Sequence, residues 1–582
     1  MKFRMCGVYD EEEGYRCYAS MSDFLASELT PDRYGHTFYA HNGGKSDMHF
    51  VLHELVGSGL ANERYEVEAS FNGSSAFLVT ISERANPKNK FIFADTLFLL
   101  KSSLRKIGEW LGYEKFQVDF ETESWSELRW YNERDCALLY QAVIQLEAEL
   151  HAMGGEFKIT LASSAMALFQ TKYLRQMLPT DRATNLYTRS AYYASRVEVF
   201  TRDCEQALYA DVNSSFPWSM KQVLPGKFLR VSRTIADRPK SAKRYIAEAT
   251  VRVKPCYMPP LPYRDKSGRI LFPIGEWRSM FCDTDLQLLE EEGHEILAIH
   301  EINWFEGFTD LGDYVDDLYE KKNNSKGFKR EIYKLLLNSL YGKFAEGDTK
   351  QKLLVHPEDV ICPHKYKHAG DSCMNMIRPG FWTREDFKPL EHVHVPVSAA
   401  VTAHSRALLF RYMREPLRRG GKIYYCDTDS IVYSVPCGHD PKHGAELVPS
   451  GKGFAPAWQV CMGEALPTGD EVGQLKLEYS LEKGHFAAPK LYMIESDGKI
   501  TVKSKGFSKL DGYDYVQLCA GESVTLDRMR GIKENIRLED LTPTRIKVGK
   551  YARLKRTKRA PASGPGGQTT PWSIEEIREA EK

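Results

Sequence analysis

A short acidic turn between two apolar stretches constrains the fold of this chain more than any other feature. The apolar residues 423–425 and 431–433 flank the turn, which carries Asp427 and Asp429. Runs rich in Ile, Val and Tyr around a short polar break predict a strand, a tight turn and a second strand. On such a hairpin both carboxylates can lie at the rim of a sheet and face one cleft.

The chemistry of this turn follows from the closeness of its two acids. Two carboxylates held together repel each other unless cations neutralise them. Hard oxygen ligands on a rigid turn suit Mg²⁺, which keeps waters and takes its other ligands from substrate phosphates. The alternative is a solvated turn, because Asp and Ser are ordinary turn residues.

A second segment offers another carboxylate. Residues 208–217 contain an apolar strand that ends at Asp211, followed by a polar turn. If Asp211 meets Asp427, the two acids can hold two metal ions roughly 3.5–4 Å apart, the arrangement that supports in-line phosphoryl displacement. The backbone amides of the 212–216 turn can also donate hydrogen bonds to phosphate oxygens.

A third segment supplies positive charge. The spacing of its apolar residues predicts a helix from about residue 320 to 345. Four cations and an amide recur every four residues along it, so that neighbours share one face: Lys322, Lys326, Arg330, Lys334 and Asn338. Gly342 ends the pattern, as a helix stop often does. The alternative for this stripe is a solvated helix face.

These three segments resemble motifs A, B and C of family B DNA polymerases and occur in the same order. Residues 490–492 resemble the Lys-x-Tyr motif that follows them in that family. The resemblance is to the protein-primed branch of phages, linear plasmids and related mobile elements, and it extends from about residue 5 to 530. It implies template-directed DNA synthesis by two-metal phosphoryl transfer, started from a terminal protein.

The resemblance also implies a role for each motif residue. The catalytic acids would be Asp211, Asp427 and Asp429, and the metal ligands would be Asp211, Val212, Asp427 and Glu478. The incoming nucleotide would be bound by Lys322, Lys334, Asn338, Tyr341, Phe216, Ser214 and Ser215. Primer and template would be bound by Lys490, Tyr492, Tyr192, Gly342 and Thr428. The implied cofactors are two Mg²⁺ ions, which Mn²⁺ can replace.

Phe216 stands where the family usually has a tyrosine that packs under the sugar. An aromatic ring at this position leaves no room for a 2′-hydroxyl group, and phenylalanine fills the space as tyrosine does. The resemblance therefore implies a preference for deoxynucleotides.

The first third of the chain resembles the proofreading exonuclease of the family. Asn42 and Asp47 match the polar pair of its second motif, and Tyr131 and Asp135 match its third, at a spacing that puts both on one helix face. The first motif, an Asp-x-Glu strand about forty residues upstream, is not found. We therefore expect an impaired 3′–5′ exonuclease, either because an upstream start has been missed or because proofreading has been lost.

Two other acidic pairs could replace the first exonuclease motif. Asp119 and Glu121 have the right letters but lie between the second and third motifs, and Asp10 and Glu12 lie in an acidic turn. Short matches of this kind are permissive, so we interpret both pairs as polar connections.

The implied fold is multidomain α/β. An RNase H-like 3′–5′ exonuclease domain, N-terminally incomplete, precedes a right-hand polymerase with palm, fingers and thumb. The expected ranges are exonuclease-like 1–180, palm 181–225 and 399–500, a first terminal-protein-region insertion 226–317, fingers 318–345, a second insertion 346–398, and a thumb with a basic flexible C-terminus 501–582.

The two insertions favour protein priming, because they lie where the protein-primed branch contacts its terminal protein. The expected partners are a primer-template DNA, dNTPs and a terminal protein, bound by a monomer. Two alternatives stay open: a catalytically inactive DNA-binding replication scaffold, and a family B polymerase that extends ordinary primers.

Composition adds local rather than global signals. The chain has 79 Lys and Arg against 79 Asp and Glu, so nucleic-acid binding would depend on local charge. The basic run at 547–559 can bind phosphates or be a solvated tail, and the Pro/Gly/Ser/Thr-rich residues 560–571 favour a flexible end. We find no signal peptide and no apolar run long enough to span a bilayer, and with scattered cysteines we expect a cytoplasmic protein.

One group of cysteines and histidines could bind zinc. Cys362, His364, His368 and Cys373 lie in one polar stretch and provide four ligands of the type that zinc prefers. Their spacing fits no strong zinc template, so ordinary loop residues are the alternative.

Overall fold

The computed structural model describes most of the chain. The described residues are 3–73, 75–113, 124–176, 178, 181–355, 373–387, 390–434, 447–450, 453–456, 467–507, 510–552, 554, 558–561 and 567–582. They form two compact units. The first comprises Met1–Leu174, Asp316–Glu391 and Asp527–Val548, and the second comprises Arg175–Val315, His392–Leu526 and Gly549–Lys582.

Both helices and strands occur throughout the described chain. In chain order, the α-helices are α1 (Met21–Glu28), α2 (Asp47–Gly57), α3 (Leu60–Glu63), α4 (Leu97–Leu100), α5 (Leu104–Leu111), α6 (Trp125–Ala152), α7 (Leu161–Leu168), α8 (Arg182–Thr188), α9 (Ser215–Met220), α10 (Asp283–Glu291), α11 (Leu311–Asn323), α12 (Gly327–Ser339), α13 (Val395–Arg418), α14 (Gly512–Cys519), α15 (Ile532–Arg537) and α16 (Ile574–Ala580). The strands are β1 (Cys6–Asp10), β2 (Gly14–Tyr18), β3 (Thr37–Ala40), β4 (Tyr65–Asn72), β5 (Ser75–Glu83), β6 (Lys90–Asp95), β7 (Val197–Val199), β8 (Asp203–Val212), β9 (Leu224–Ser232), β10 (Arg244–Val253), β11 (Tyr263–Arg264), β12 (Ile270–Leu271), β13 (Gly275–Cys282), β14 (Glu295–Phe308), β15 (Thr349–Val355), β16 (Cys373–Arg378), β17 (Phe381–Phe387), β18 (Ile423–Asp427), β19 (Ser430–Tyr433), β20 (Leu447–Ser450), β21 (Gly453–Pro456), β22 (Leu475–Ala488), β23 (Leu491–Ser496), β24 (Lys499–Ser504), β25 (Ser523–Met529) and β26 (Arg545–Tyr551).

The first unit is built on a seven-stranded sheet in the order β16-β17-β15-β4-β5-β6-β3. Strand β3 runs parallel to β6 and pairs from Thr37 with Ile92 to Ala40 with Asp95, so both strands end at the same edge. Along β4, buried and half-buried side chains alternate, the pattern of a strand with one face in the core. Helices α1 and α2 contribute buried side chains to that core.

The predicted single helix from about residue 320 to 345 is wrong, because the structure has two helices there. Helix α11 ends at Asn323 and α12 begins at Gly327, whose φ of 56° is left-handed. Asn and Ser residues between the helices favour a turn, and Gly adopts this φ without strain. Lys322 therefore lies on α11, while Arg330, Lys334 and Asn338 lie on α12.

Residues 346–398, predicted as a second insertion, contribute β15, β16 and β17 to the sheet of the first unit. Strand β15 pairs antiparallel with β4, from Lys352 with Ser70 to Val355 with Val67. Cross-strand ion pairs join Glu68 of β4 to Lys352 and, at 3.3 Å, to Arg384. Three of the proposed zinc ligands, Cys362, His364 and His368, lie outside the described residues, so that site stays a prediction.

The second unit contains a seven-stranded antiparallel sheet in the order β24-β23-β22-β8-β19-β18-β7. Helix α13 covers one face, where its buried Leu408, Tyr412 and Met413 pack with apolar residues of β8, β18 and β19. The other face carries a second apolar cluster that includes Tyr425 and Tyr492. The acidic turn lies at the end of β18, as predicted from the sequence.

A second sheet of this unit, in the order β13-β10-β14-β9, is formed by residues 224–308. Its core contains the fully buried Trp277 and Trp304, with Leu286 and Leu289 of α10. The last helix, α16, adds buried Ile574 and Ile577 to the same core.

The C-terminus differs from the predicted flexible basic end. Residues 558–561 and 567–582 pack within the second unit, and Arg559 of the basic run is only 1% exposed. Arg559 is therefore not available to bind phosphates. No helix among the described residues has both the length and the apolar character needed to cross a membrane.

Candidate active site

The acidic hairpin has the predicted geometry. Strand β18 ends at Asp427, β19 begins at Ser430, and these two residues pair across a two-residue turn. Thr428 in the turn has a left-handed φ of 65°. The Asp429 amide donates to the Asp427 carbonyl at 2.7 Å, which closes the turn. The prediction of strand, tight turn and strand is confirmed by these elements.

The structure brings Asp211 to this turn. Strand β19 pairs with β8 so that Ser430 lies opposite Asp211. The next residue, Val212, donates its amide to the Asp429 carbonyl at 2.7 Å. Two segments more than two hundred residues apart in the chain therefore place Asp211, Asp427 and Asp429 in one region at the end of adjacent strands.

Glu478 joins the three aspartates through an irregularity in β22. Strand β22 pairs with β8, and the register shifts between Leu477 and Tyr479, where Glu478 is the extra residue. A β-bulge of this kind re-aims a side chain relative to the regular strand alternation. We name Asp211, Asp427, Asp429 and Glu478 the palm acid cluster.

Electrostatics within the palm acid cluster raise the pKa of two members. Burial raises the pKa of Asp211 most, followed by the negative charges of Asp429, Glu478 and Asp427. Burial and Asp427 also raise the pKa of Asp429, against the lowering effects of a backbone hydrogen bond and Lys490. Carboxylates that raise each other's pKa in this way are stabilised by bound cations.

Asp427 is the member of the cluster with the most direct partners. Lys490 Nζ lies 2.5 Å from its Oδ1, Thr428 Oγ1 donates to the same oxygen at 3.0 Å, and the Tyr425 hydroxyl donates to Oδ2 at 3.2 Å. The Lys490 amide in turn donates to the Tyr425 hydroxyl at 2.9 Å. Lys490 thus holds Asp427 through both its side chain and its backbone.

The palm acid cluster fits divalent metal ions by its chemistry. Burial and the charges of Asp429, Glu478 and Asp427 raise the pKa of Asp211, and such repulsion between hard oxygen donors is the property that a cation relieves. Among the described residues, no three His, Cys, Asp or Glu side chains are arranged to enclose a metal ion. Lys490 takes up one oxygen of Asp427 in this arrangement and supplies the positive charge there.

The turn after Asp211 is partly committed to the protein interior. Ser215 is 2% exposed, and its hydroxyl lies 2.9 Å from that of Ser405, so its side chain packs internally rather than facing a nucleotide. Asn213 donates its amide to the Gln474 carbonyl at 2.8 Å. Ser214 has a left-handed φ of 53° and precedes α9, in which Phe216 is half-buried.

The two predicted DNA-binding tyrosines lie against the core. Tyr492 is 7% exposed, and its hydroxyl lies 3.4 Å from that of Tyr209, which itself donates to Ser430. Its ring centroid lies 5.2 Å from that of Tyr425. Tyr192 packs half-buried beside Ala191, and its carbonyl accepts a hydrogen bond from Arg264 at 2.5 Å.

The first unit gathers three cations from α11 and α12. Lys322 is 7% exposed with its Nζ 3.7 Å from the centroid of the Tyr319 ring. Burial lowers the pKa of Lys322 to about 8, and the charges of Arg330 and Lys334 contribute to the same lowering. We name Lys322, Arg330 and Lys334 the basic group. Asn338 and Gly342 are exposed, and Tyr341 is half-buried beside them in the chain.

A different acid arrangement occurs at the parallel edge of the first unit. Asp95 ends β6 and is 1% exposed. It accepts hydrogen bonds from the amides of Asn42 at 2.8 Å, Gly44 at 3.1 Å and Leu97 at 2.9 Å. Asn42 has a left-handed φ of 59° in this loop. Asp95 therefore holds the segment that carries the predicted exonuclease residues Asn42 and Asp47.

Asp47 and Asp135 both lie near the thiol of Cys136. Asp47 begins α2, and its pKa is raised by burial first and also by Asp95. The Cys136 thiol has its pKa raised by burial first and then by Asp135 and Asp47, so both acids lie near it. Tyr131 and Asp135 lie on α6, one turn apart as predicted. We name Asp47, Asp95 and Asp135 the N-terminal acid group.

The acidic turn at Asp10 is engaged in ion pairs. Arg16 Nη2 lies 2.7 Å from Asp10, and Arg33 Nη1 lies 3.6 Å from it. Glu12 is exposed and donates its amide to Asp10 at 3.0 Å. These contacts favour the interpretation of Asp10 and Glu12 as a polar connection. Asp119 and Glu121 lie outside the described residues.

Comparison with known proteins shows what the chain is similar to. A family model described as DNA polymerase type B, organellar and viral, matches residues 121–374. The DNA-directed DNA polymerase of Enterobacteria phage PRD1 is 25% identical over 444 residues, which cover 73% of this chain and 71% of that protein. The chain is similar to the organellar and viral type B DNA polymerases. The recognition of family B from the sequence motifs is confirmed.

Two other relatives match this chain over less than half of their own length. The protein named "Probable DNA polymerase" from Podospora anserina is 26% identical over 384 residues, 60% of this chain and 29% of that protein. Its counterpart from Neurospora intermedia is 24% identical, with 68% of this chain and 41% of that protein covered. The chain thus spans less than half the length of these two fungal relatives.

Solved structures confirm the fold. Phi29 DNA polymerase complexed with primer-template DNA and incoming nucleotide substrates matches with a TM-score of 0.71 at 17% identity, over 94% of this chain and 98% of that one. Its binary complex with primer-template DNA gives a TM-score of 0.70. The multidomain α/β fold expected of a family B polymerase is therefore present.

Sequence reasoning missed two residues of these sites. Asp95 was not singled out, because its role depends on the parallel pairing of β3 and β6. An acid directly after an apolar strand was its available signal. Tyr425 was interpreted only as an apolar strand residue, although its hydroxyl contacts both Asp427 and Lys490.

Proposed function

We propose that this chain is a DNA-directed DNA polymerase that adds deoxynucleotides to a 3′-hydroxyl. The observation that carries the proposal is the palm acid cluster, in which Asp211 lies beside the Asp427–Asp429 turn. The match to the type B family and the proteins named DNA polymerase among the relatives support it. The assigned ranges are palm 181–225 and 399–500, fingers 318–345 and thumb from 501, with 226–317 and 346–398 as insertions.

Asp211 and Asp427, helped by Asp429, Glu478 and the Val212 carbonyl, would hold two Mg²⁺ ions. When bound, such ions neutralise charge on the reacting phosphate and the attacking hydroxyl. The chain itself contributes position: the pairing of β8, β19 and β18 fixes the acids, and the hydrogen bonds of Thr428 and Tyr425 fix the Asp427 carboxylate. Catalysis is then mainly positioning and electrostatic stabilisation.

The basic group is assigned to the phosphates of the incoming nucleotide. Burial lowers the pKa of Lys322 most, and the charges of Arg330 and Lys334 lower it further, so a polyanion is the natural counter-ion of the three cations. Asn338 and Tyr341 would contact the same nucleotide, and Gly342 the nascent base pair. Phe216 would exclude a 2′-hydroxyl, while the buried side chain of Ser215 leaves Ser214 as the serine that could face the nucleotide.

Lys490 is assigned to the primer strand. Its contact with Asp427 competes with metal binding, whereas a primer phosphate offers the ammonium group another anion. DNA binding would therefore draw Lys490 away and free Asp427 for metal. Tyr492 would support this exchange from the core through Tyr209 and Tyr425, rather than by exposing its own ring. Thr428 and Tyr192 are assigned to DNA as well.

Protein priming and an impaired exonuclease are further parts of the proposal. Priming by a terminal protein rests on the likeness of motif order and insertions to the protein-primed branch. The exonuclease is proposed to be impaired, because Asp95 is committed to backbone amides and Asp10 to arginines. A catalytically inactive scaffold is the rival, and the complete palm acid cluster argues against it.

The test uses a 5′-labelled primer on a longer template with purified chain and Mg²⁺. We expect extension with dNTPs and no shortening of the primer without them. Shortening would overturn the impaired exonuclease and make Asp47 the first residue to mutate. Absence of extension with both Mg²⁺ and Mn²⁺ would overturn the polymerase and favour the scaffold. Replacing the primer by a terminal protein with a free hydroxyl tests priming separately.

A further inference from the structure

A buried cluster of charges lies at β7, the strand next to the acidic hairpin in the sheet. Strand β7 pairs with β18, placing Glu198 opposite Cys426 and Val197 opposite Asp427. Because alternate strand residues face opposite sides, Glu198 and Cys426 lie on the face opposite to Asp427. Glu198 is fully buried, and so is Arg196, whose Nε donates to Glu198 at 2.5 Å.

The C-terminal tail completes this cluster. We use that name for the described residues 558–561 and 567–582. Arg559 Nη1 lies 3.8 Å from Glu198 Oε1, and its guanidinium lies 4.3 Å from the centroid of the Phe200 ring. Arg196 stacks on the same ring at 5.4 Å. Two arginines thus share one buried glutamate, shielded from water.

Two other nitrogens of the Arg559 guanidinium donate hydrogen bonds, one to a backbone carbonyl and one to a side chain of the tail. Its Nη2 donates to the Tyr257 carbonyl at 2.8 Å, and its Nε donates to Thr569 Oγ1 at 2.9 Å. Thr569 in turn donates its hydroxyl to the Val199 carbonyl at 2.8 Å and its amide to the Phe200 carbonyl at 2.8 Å. The tail is therefore bonded directly to β7 and the residue after it.

Strand β7 and the residues on either side of it are hydrogen-bonded to the acidic hairpin. The Thr428 amide donates to the Arg196 carbonyl at 2.8 Å, and the Phe200 amide donates to the Tyr424 carbonyl at 2.8 Å. A shift of β7 would therefore displace both ends of the Tyr424–Thr428 stretch. Burying two guanidinium groups is costly unless they are paired and hydrogen-bonded, so removal of one partner disturbs the whole cluster.

The far end of the tail is anchored independently. Ile274 donates its amide to the Trp572 carbonyl at 3.0 Å, and the Ile574 amide donates to the Ile274 carbonyl at 2.9 Å. Buried Ile574 and Ile577 of α16 fill the core of the sheet formed by residues 224–308. The tail thus connects that sheet to β7, the strand that pairs with β18 of the acidic hairpin.

We propose that the C-terminal tail positions the acidic hairpin of the active site, with Arg559 as the positioning residue that acts on Asp427 through Glu198 and β7. The inference deepens the proposed polymerase function and rests on it. Arg559 is buried and pairs with Glu198 rather than with an acid of the palm acid cluster. Its contribution is to fix the backbone from which Asp427 projects, and with it the geometry offered to Mg²⁺, which demands near-ideal octahedral coordination.

The test compares Arg559→Met with Arg559→Lys and the matched control Arg578→Met, which removes an exposed guanidinium from the same tail. Single-turnover extension is measured per active molecule, with Mg²⁺ varied. For Arg559→Met we expect a rate about tenfold lower, a higher Mg²⁺ concentration for half-maximal rate and a nearly unchanged KM for dNTP. Arg559→Lys should recover part of the Mg²⁺ response, and Arg578→Met should match wild type.

Hydrogen exchange supplies a readout that does not need activity. In Arg559→Met, peptides containing Phe200 and Thr428 should exchange faster, while those of β10 should not change. If Arg559→Met folds poorly, the milder Thr569→Val should show the same pattern at reduced size. An unaltered Mg²⁺ response in active enzyme, or unaltered exchange at Thr428, would overturn the proposal. If wild type extends no primer, the polymerase assignment fails while exchange still decides whether the tail holds the hairpin.

Discussion

The palm acid cluster of the second unit and Asp95 of the first unit are stabilised in different ways. In the palm acid cluster, Asp211, Asp427 and Asp429 lie at the ends of adjacent antiparallel strands, and burial and mutual repulsion raise the pKa of Asp211. In the N-terminal acid group, Asp95 directs its oxygens to three backbone amides. The neighbours of Asp47 and Asp135 there include the thiol of Cys136.

From this difference we expect the palm acids to serve chemistry and Asp95 to serve structure. A carboxylate bonded to several amides is already stabilised and gains little from a cation. Carboxylates that repel one another are strongly stabilised by a bound cation. The comparison therefore predicts that removing charge from the palm acid cluster affects rate, whereas removing it from Asp95 affects stability.

The largest effect is expected for Asp427→Asn. The rate of nucleotide incorporation should fall on the order of 10³-fold or more, because the substitution removes a carboxylate that we propose binds metal. The melting temperature should change little, because relief of the repulsion with Asp211 and Asp429 offsets loss of the ion pair with Lys490. Rapid-quench kinetics and a thermal melt check both statements. The control is Asp497→Asn, an exposed acid in a turn of the same sheet; equal loss in both variants would contradict the assignment.

A smaller effect is expected for Lys490→Gln. Loss of the primer contact should lower the extension rate about 10- to 100-fold, the range of a lost charge-assisted contact. Without DNA, Asp427 would lose its competing cation, so Mn²⁺ should bind more tightly than to wild type. Binding is measured by Mn²⁺ titration, with the exposed Lys499→Gln as the control. Weaker Mn²⁺ binding in Lys490→Gln would contradict the exchange of Lys490 between Asp427 and primer.

Asp95→Ala should change stability and leave polymerisation intact. Three backbone amides, of Asn42, Gly44 and Leu97, would lose their acceptor, which costs about 2–3 kcal/mol. Chemical denaturation followed through the first unit measures this loss, and the extension rate per active molecule should stay within about twofold of wild type. Asp95→Asn keeps one acceptor oxygen, so its stability should lie between those of wild type and Asp95→Ala. An unaltered unfolding midpoint would show that Asp95 is not the holding residue.

The smallest effect concerns the pH dependence of nucleotide binding. Because burial, Arg330 and Lys334 lower the pKa of Lys322 to about 8, its charge is present below that pH and is lost above it. The KM for dNTP should therefore rise several-fold between about pH 7 and 9 in wild type. Lys322→Met should start with a higher KM and show a flatter profile. The exposed Lys326→Met serves as control, and an identical slope in all three would contradict the role of Lys322.

Local pattern was sufficient to predict the acidic hairpin. Apolar runs around a short polar break specify strand, turn and strand without knowledge of the rest of the chain. The meeting of Asp211 with Asp427 was an inference from chemistry, and strand pairing in the structure brings them together. Glu478 came from the family likeness, because the bulge that aims it is not visible in the sequence.

What sequence could not predict depends on tertiary contacts. The basic stripe looked like one helix because its four-residue spacing continues across the break before Gly327. Arg559 looked like part of a solvated basic run, and only the packing of Phe200, Tyr257 and Glu198 around it shows that it is buried. The contacts of Asp95 depend on the parallel pairing of β3 with β6, which brings the loop at Asn42 and Gly44 to its carboxylate.

Counting bound Mn²⁺ by electron paramagnetic resonance tests the central claim most directly. The measurement uses wild type, Asp211→Asn, Asp427→Asn and Asp95→Asn, each with primer-template DNA and a non-hydrolysable dNTP. The account predicts two tightly bound ions in wild type and Asp95→Asn, and fewer in the two palm variants. Equal Mn²⁺ binding in all four proteins, or loss confined to Asp95→Asn, would contradict the assignment of metal binding to the palm acid cluster.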